Sequence, residues 1–426
     1  MHIIVVGAGP SGLLMSLLLA KKGIPVHLID AASKLDDQPR AAHYGPAAIP
    51  DLRRAGIMDR VRKNGLTLNT MCWRKLDTTY IAGMDGSVLA HEDPVQDPRT
   101  ACLPLQDLDQ LMLDDFEKAG GKVHWGRKVV DIGQDEKKAW VFVETAEGKT
   151  KMEADYVIGC DGANSQIRRS LFGDKNFPGY TWDQQIVATN TYYDFRKFGY
   201  HDANFIIHPE HLYMAAIIQE DGLWRVTYGE EPGLTREQLI ERQPWKFETI
   251  LPGNPKPHEY KVVNFSPYRM HQRLAEKFRV GRFCLAADAA HLCNPFGGLG
   301  ITGGFVDVGG LFDCLVGIWE NKADDSILDI YSDVRRQKYK EFIDPISTEN
   351  FKRLWGQSAD TALETDEFLK LCKKTETDKE LAKEVQMGSF AIRYDFTQHY
   401  KGAQTKSAEQ NGDRTATGKV APAPAN

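Results

Sequence analysis

A chain of 426 residues is too long for one simple core and suits two domains, or one large domain carrying an insertion. Lys and Arg number 53 against 59 Asp and Glu, a net charge of −6, which leaves no electrostatic footprint for nucleic acid or anionic lipid. The seven cysteines are odd in number and include no Cys-x-x-Cys pair, which argues against a disulfide framework or zinc site and for the reducing cytoplasm.

Along the chain, Ile3-Ile4-Val5-Val6 is a β-branched apolar run and reads as a buried strand. A helix is expected from about residue 11 to 22. Its apolar stretch, residues 13–20, resembles a signal-peptide core, but a strand and a glycine turn precede it and no basic segment does. It is also too short to span a bilayer, so it reads as a buried helix. Residues 26–30 form a second strand ending on Asp30, completing a βαβ unit. Further strands are expected at 123–125, 140–144 and 154–159.

From about 186 to 228 the texture changes to aromatic and β-branched runs between turns, the mark of an antiparallel sheet. After 265 the α/β texture returns: a strand over 283–287, a glycine-rich turn, then a helix to about 319. Residues 326–342 read as an amphipathic helix, with more helix between 348 and 386. The segment 402–426 has no aromatic residue and cannot bury enough apolar surface to order itself, so it reads as a disordered tail. The fold class expected is α/β: a Rossmann-like dinucleotide domain (1–75, 99–175 and 270–345) with an inserted antiparallel β-sheet substrate domain (76–98 and 176–269). C-terminal helices (346–401) follow.

Three segments carry chemistry. In the first, Gly7 permits a tight strand-to-helix turn, Gly9 lets backbone approach a pyrophosphate, and Gly12 allows close helix–strand packing. Phosphate would sit on the amides of the helix N-terminus. Asp30, 23 residues after Gly7, is placed for a ribose hydroxyl. This much does not separate NAD from FAD. The last segment ends a strand at Asp288 and runs on through Asn294-Pro295-Phe296-Gly297-Gly298-Leu299-Gly300-Ile301-Thr302. Asp288 would accept from polyol hydroxyls, and the glycine-dense turn would offer amides to phosphate or a flavin edge. The plainer alternative is a capping Asp followed by an ordinary turn.

Together with the middle segment Cys160-Asp161-Gly162-Ala163-Asn164-Ser165, these segments resemble, in order and spacing, the class A flavoprotein monooxygenases, the p-hydroxybenzoate hydroxylase-like family. The likeness covers roughly residues 1–345. It implies that the first motif binds the ADP half of FAD, that Asp161 serves FAD and NAD(P)H, and that Asp288 holds the ribityl chain. By the same likeness Arg40 reaches the flavin region, Gln106 is a polar FAD contact, and Pro295, Gly298, Gly300, Ile301 and Thr302 surround the ring. The chain departs from the family's usual Gly at Ala287, Pro at Asn294 and Asn at Thr302, leaving the ring's hydrogen bonding open.

The resemblance implies a reaction in which NAD(P)H reduces FAD, O2 forms a flavin hydroperoxide, and its distal oxygen attacks an electron-rich aromatic carbon. The protein orients the ring, excludes water and stabilises a phenolate. Arg225 stands out as the candidate, because a charge within Leu223-Trp224-Arg225-Val226 is costly unless partnered. Arg196 and Tyr228 are secondary candidates, while His208 before Pro209 reads as a turn residue. By an ungapped comparison Gln219, or an apolar neighbour, stands where p-hydroxybenzoate hydroxylase binds its substrate's carboxylate, and residues 214–218 are apolar, which favours a larger, less charged phenol. Rival readings are an epoxidase, a non-oxygenating FAD reductase or dehydrogenase, and a non-enzymatic flavin-binding partner protein. No Trp-x-Trp-x-Ile-Pro segment of a halogenase occurs. The expected partners are a small aromatic substrate and O2, with no metal, no nucleic acid and no membrane span, and a homodimer is allowed for.

Overall fold

The computed structural model describes residues 1–36 and 41–401. Arg40 and the 402–426 tail, both singled out above, lie outside the described residues.

The strand Ile3–Val6 is buried along its whole length and sits inside a six-stranded sheet, parallel to both Val26–Ile29 and Tyr156–Gly159. Phe283–Leu285 adds in parallel beyond Tyr156–Gly159. A strand apolar on both faces needs both faces covered. The helix Pro10–Lys21, buried from Ser11 to Leu19, packs against Leu105–Lys118 and the long helix Leu299–Trp319. That long helix has the length and composition of a membrane span, yet 78% of its most apolar window is buried inside the protein.

The chain leaves this sheet and returns to it. Between the visits, and with His291–Leu292 just after the last of them, it builds an eight-stranded sheet in the order His291–Leu292, Lys261–Leu274, Gly179–Tyr192, Leu223–Glu230, Tyr213–Gln219, Ala203–Ile206, Thr70–Arg74, Tyr80–Asp85. The early excursion therefore starts at Thr70, six residues before the expected boundary at 76, because Met71 to Arg74 pair in parallel with Ala203 to Ile206. The helix Arg236–Ile250 was not anticipated. It begins with a Thr235–Gln238 capping box and carries Pro244 internally.

Strand alternation gives the large sheet two unlike faces. Val187, Ala215, Ile217, Trp224, Val226 and Tyr228 point to the back, into a core shared with Phe247 of the unanticipated helix. Trp73, Ile186, Phe205 and Met214 point to the front, where they meet Phe296. The C-terminal helices Asp344–Trp355 and Glu367–Thr375 close this front cluster with Phe351, Leu354, Leu369 and Cys372. They belong to the packing of the front face and are not an appendage.

Candidate active site

The glycine turn is built by close approach. Gly7 has φ +103°, and a Cβ there would lie 2.4 Å from the Cys160 carbonyl oxygen. At Gly12 a Cβ would lie 1.8 Å from the Gly7 carbonyl oxygen. Gly9 differs: no atom of the described residues stands within 4 Å of where its Cβ would be. The helix that Gly9 opens has no side-chain cap and no acid in its first turn, so its leading amides face open space with the positive end of the dipole behind them. Asp30 is fixed at the lip of this turn, accepting from the Ala8 amide at 2.6 Å and the Ala32 amide at 2.7 Å. A carboxylate has lone pairs beyond those two bonds for a ribose hydroxyl.

The last segment repeats the design. Gly298, in the left-handed region at φ +61°, heads the long helix, again without a side-chain cap or first-turn acid. Among the described residues no atom stands within 4 Å of where a Cβ would be at Gly298 or Gly300. Asp288 is exposed on the single turn Ala287–Ala289. Thr302 is buried and its hydroxyl accepts from the Gly45 amide at 3.0 Å, so it ties the strand His43–Tyr44 to the long helix. Asn294 is likewise buried, with its amide donating to Gln272 Oε1 at 2.6 Å and its own Oδ1 accepting from Phe296 at 3.1 Å. It caps the turn that presents Pro295. Two uncapped helix starts, two open glycine cradles and the carboxylates Asp30 and Asp288 fit FAD.

Asp161 has a different local task from the one expected. It accepts from Ser165 Oγ at 2.6 Å and from the Gln166 and Ile167 amides at 2.7 and 3.1 Å, capping the helix Gln166–Phe172. Burial pushes its pKa up and these bonds oppose the shift. Arg168 bolts that helix to the Asp288 turn by donating to the Ala163 and Ala289 carbonyls at 2.9 and 3.1 Å. Its guanidinium lies 3.7 Å from the Phe177 ring centre. Gln106 is exposed in the first turn of Leu105–Lys118.

Sequence reasoning missed Asp307. It is fully buried on the long helix and accepts from His291 Nε2 at 2.7 Å, Arg335 Nε at 2.6 Å and the Ala287 amide at 3.0 Å. An Asp within a glycine-rich helix gives no period of its own. Only its two basic partners, 16 residues before and 28 after, identify it.

On the substrate side, Arg225 points to the front face and donates from Nε to Asn190 Oδ1 at 2.7 Å. Burial lowers its pKa, with Tyr268 opposing. Tyr268 shares the front face and keeps 37% of its surface accessible, yet burial drives its hydroxyl pKa upward and Arg225 pulls it back. The expected apolar wall at 214–218 is corrected by alternation: Met214 and Ala216 flank Arg225 and Thr227, whereas Ala215 and Ile217 face the back core. Tyr228 is corrected for the same reason. It is fully buried behind the sheet against Phe247, 5.7 Å between ring centres. Arg196 lies on an outer turn, paired with Asp202 and 5.4 Å from the Trp224 ring centre. Neither reaches Arg225's side. His208 accepts from the Glu210 and His211 amides, as a turn residue does. His43 escaped notice. Its Nε2 lies 2.8 Å from the Ile217 carbonyl oxygen, and burial lowers its pKa to about 4. An open cavity of about 930 Å³ lies elsewhere, and none of its lining residues belongs to the three motifs.

Residues 1–345 match the family described as FAD binding domain. The chain is 37% identical over 363 residues to para-nitrophenol 4-monooxygenase of Pseudomonas sp. (strain WBC-3), covering 84% of this chain and 88% of that one. It is 36% identical over 357 residues to 6-hydroxy-3-succinoylpyridine 3-monooxygenase HspB of Pseudomonas putida (strain DSM 28022 / S16), covering 84% and 89%. The crystal structure of p-nitrophenol 4-monooxygenase PnpA from Pseudomonas putida DLL-E4 superposes with a TM-score of 0.85 at 33% identity, covering 92% of this chain and 98% of that one.

Proposed function

The chain belongs to the FAD binding domain family and is an FAD-dependent aromatic monooxygenase, and from that premise we propose that its substrate is a phenol oxygenated on the ring carbon opposite the hydroxyl group. The observation that carries this reading is the front face of the large sheet. It sets the Arg225 guanidinium beside an apolar wall of Met214, Ala216, Phe205 and Trp73. An aromatic ring would pack on that wall, and a phenolate oxygen would be stabilised by the guanidinium. The names of the two relatives support the position: carbon 4 of a 4-nitrophenol and carbon 3 of a 6-hydroxypyridine both lie para to the ring hydroxyl. Both carbons also carry a substituent, so the pocket must admit one there. Met71, Met84 and Met214 are half-buried around the front cluster, and methionine adapts to varied shapes.

When bound, FAD reduced by NAD(P)H activates O2 and supplies the oxygen atom. The chain's own residues hold, orient and enclose. The amides ahead of Leu13 and Thr302 would take the phosphates and the ring edge, and Asp30 and Asp288 the ribose and ribityl hydroxyls. The Phe296–Phe351 stack, 4.9 Å between ring centres, would keep water from the reacting carbon. All seven cysteines are free thiols, which supports a reducing cytoplasmic setting.

The test is NAD(P)H oxidation by FAD-loaded enzyme with 4-substituted phenols and their 3-substituted isomers, with products weighed by mass spectrometry. Stimulated oxidation, with oxygen bonded to the ring carbon and the 4-substituent expelled (a 1,4-quinone plus nitrite from 4-nitrophenol), and a preference for 4-substituted phenols, is the expected result. Oxidation without an oxygenated product would instead favour a reductase. Preferred oxygenation of the 3-substituted series would overturn the proposed position.

A further inference from the structure

His43 is held at one ring nitrogen and open at the other. The Ile217 carbonyl 2.8 Å from Nε2 can only accept, so Nε2 carries the hydrogen and Nδ1 of the neutral ring carries a lone pair. Among the described residues Nδ1 meets no hydrogen-bond partner, nor is it one of the sealed, unpartnered polar atoms. It therefore keeps accessible surface.

Its position is set from both sides. Two residues on, the Gly45 amide donates to Thr302 at the start of the long helix, on the flavin side. Ile217, which orients the ring, adjoins Ala216, the cross-strand neighbour of Arg225 on the substrate side. The two-residue strand His43–Tyr44 thus spans the gap between the glycine cradle and the apolar wall. A lone pair at that seam calls for a donor, and a phenol hydroxyl is one.

We propose that Nδ1 of His43 takes the hydroxyl proton of the phenolic substrate, which makes His43 a catalytic residue of this chain. The proposal rests on the phenolic reading above. The O–H bond breaks and its electron pair stays on oxygen, giving a phenolate beside Arg225. The hydrogen arrives on Nδ1, giving an imidazolium whose Nε2–H still donates to Ile217. Ionisation enriches the ring carbon opposite the oxygen, which is the one to be oxygenated.

The charges facing the ring agree with this role. Burial and the Arg225 guanidinium both disfavour a protonated His43, with the Ile217 bond opposing, so the lone pair is available at every working pH. Cys102, on the neighbouring strand Ala101–Cys102, is pushed up by burial to about 12 and stays neutral. Tyr268, on the far side of Arg225, has its hydroxyl pKa raised by burial; it can donate a hydrogen bond but is no base. The phenolate formed between His43 and Arg225 offsets both cations in a medium of low dielectric.

The test uses FAD-loaded His43→Gln and His43→Leu with 4-nitrophenol as probe. A Gln amide still donates to Ile217 and offers an acceptor oxygen, but it takes no proton. His43→Gln is expected to hold KM within about 3-fold and to lose about 10-fold in kcat near pH 6. That loss should shrink toward pH 9 as the phenol ionises unaided, while the wild-type kcat stays flat over the same range. His43→Leu removes the acceptor. Without NAD(P)H, flavin difference spectra should show that it binds 4-nitrophenol no better than 4-nitroanisole, whereas wild type prefers the phenol by about 10-fold or more. A folded, FAD-replete His43→Gln enzyme with wild-type kcat and pH profile would overturn the assignment. Should the wild-type enzyme oxygenate no phenol, the substrate reading fails instead, and the phenol-to-ether binding ratio still decides whether His43 reads the hydroxyl.

Discussion

Ala287 has φ +57°, a left-handed conformation in which an L-residue with a Cβ is strained by roughly 1 kcal/mol or more. It stands where the related family usually has Gly. Its amide is tied to Asp307 at 3.0 Å, so the backbone is not at liberty to relax. Replacing Ala287 by Gly relieves the strain and gives back some unfolded-state entropy, leaving a net gain of about 0.5–1 kcal/mol. A second glycine sharpens the test, because a Cβ at Gly304 would lie 2.7 Å from the Ala287 Cβ. G304A alone is expected to destabilise the protein. In the A287G background the same change is expected to stabilise it, since helical Ala outranks Gly once the clash is gone. Urea unfolding of the four proteins measures this coupling, and additive changes would show that the two sites do not press on each other.

At the level of elements, what the sequence discloses is local. Ile3–Val6 and the turn at Gly7 were legible because β-branched residues and close-approach glycines carry their reason within a few positions. The face to which Arg225 points was legible only through period two, and Tyr228, three residues on, falls on the other side for the same reason. Residues 236–250 do not announce a helix, because Pro244 is a breaker in most helix interiors. The His291–Asp307–Arg335 cluster joins three elements that no local pattern connects. Burial alone would raise the Asp307 pKa, but His291 and Arg335 outweigh burial and hold it below its ordinary value of 3.8. A carboxyl lowered in the folded state binds fewer protons there than in the unfolded chain. Its contribution is therefore complete above about pH 4 and is lost as pH falls below that. Asp307→Asn removes this part of the acid slope and costs about 3–5 kcal/mol at neutral pH, because Arg335 is left buried without its counter-charge. Urea midpoints from neutral pH down through the acid limb check both statements, and an unchanged acid slope in the variant would dismiss the role given to Asp307.

Across the whole molecule, the order of the three motifs made the chain's departure and return readable, but not what closes the pocket. An amphipathic pattern says that a helix buries one face and is silent about the partner, so the helices after residue 345 gave no sign that Phe351 and Leu354 complete the front cluster of the large sheet. Gln272 joins the three bodies. It lies on the long strand of the substrate sheet and accepts from the Asn294 amide beside the flavin-side turn at 2.6 Å. Its Nε2 donates to Asp344 Oδ1 at 2.6 Å and Ser347 Oγ at 3.1 Å on the closing helix. With Gln272 2% exposed, Gln272→Leu strands the buried Asn294 amide, at a cost of about 1–3 kcal/mol, and takes one donor from the half-buried Asp344. The stranded amide draws water, and the water enters beside Pro295, where oxygen transfer needs a dry surface. The expected outcome is a holoenzyme that keeps its FAD but oxidises more NAD(P)H per oxygenated product, by about 3-fold or more. Gln272→Glu restores the acceptor for Asn294 while setting like charge against Asp344, so it should recover little of the coupling. Product yield per NAD(P)H in the three enzymes measures the effect. Lowered stability with wild-type coupling in Gln272→Leu would confine Gln272 to holding the fold, because the brace would then govern packing without governing water.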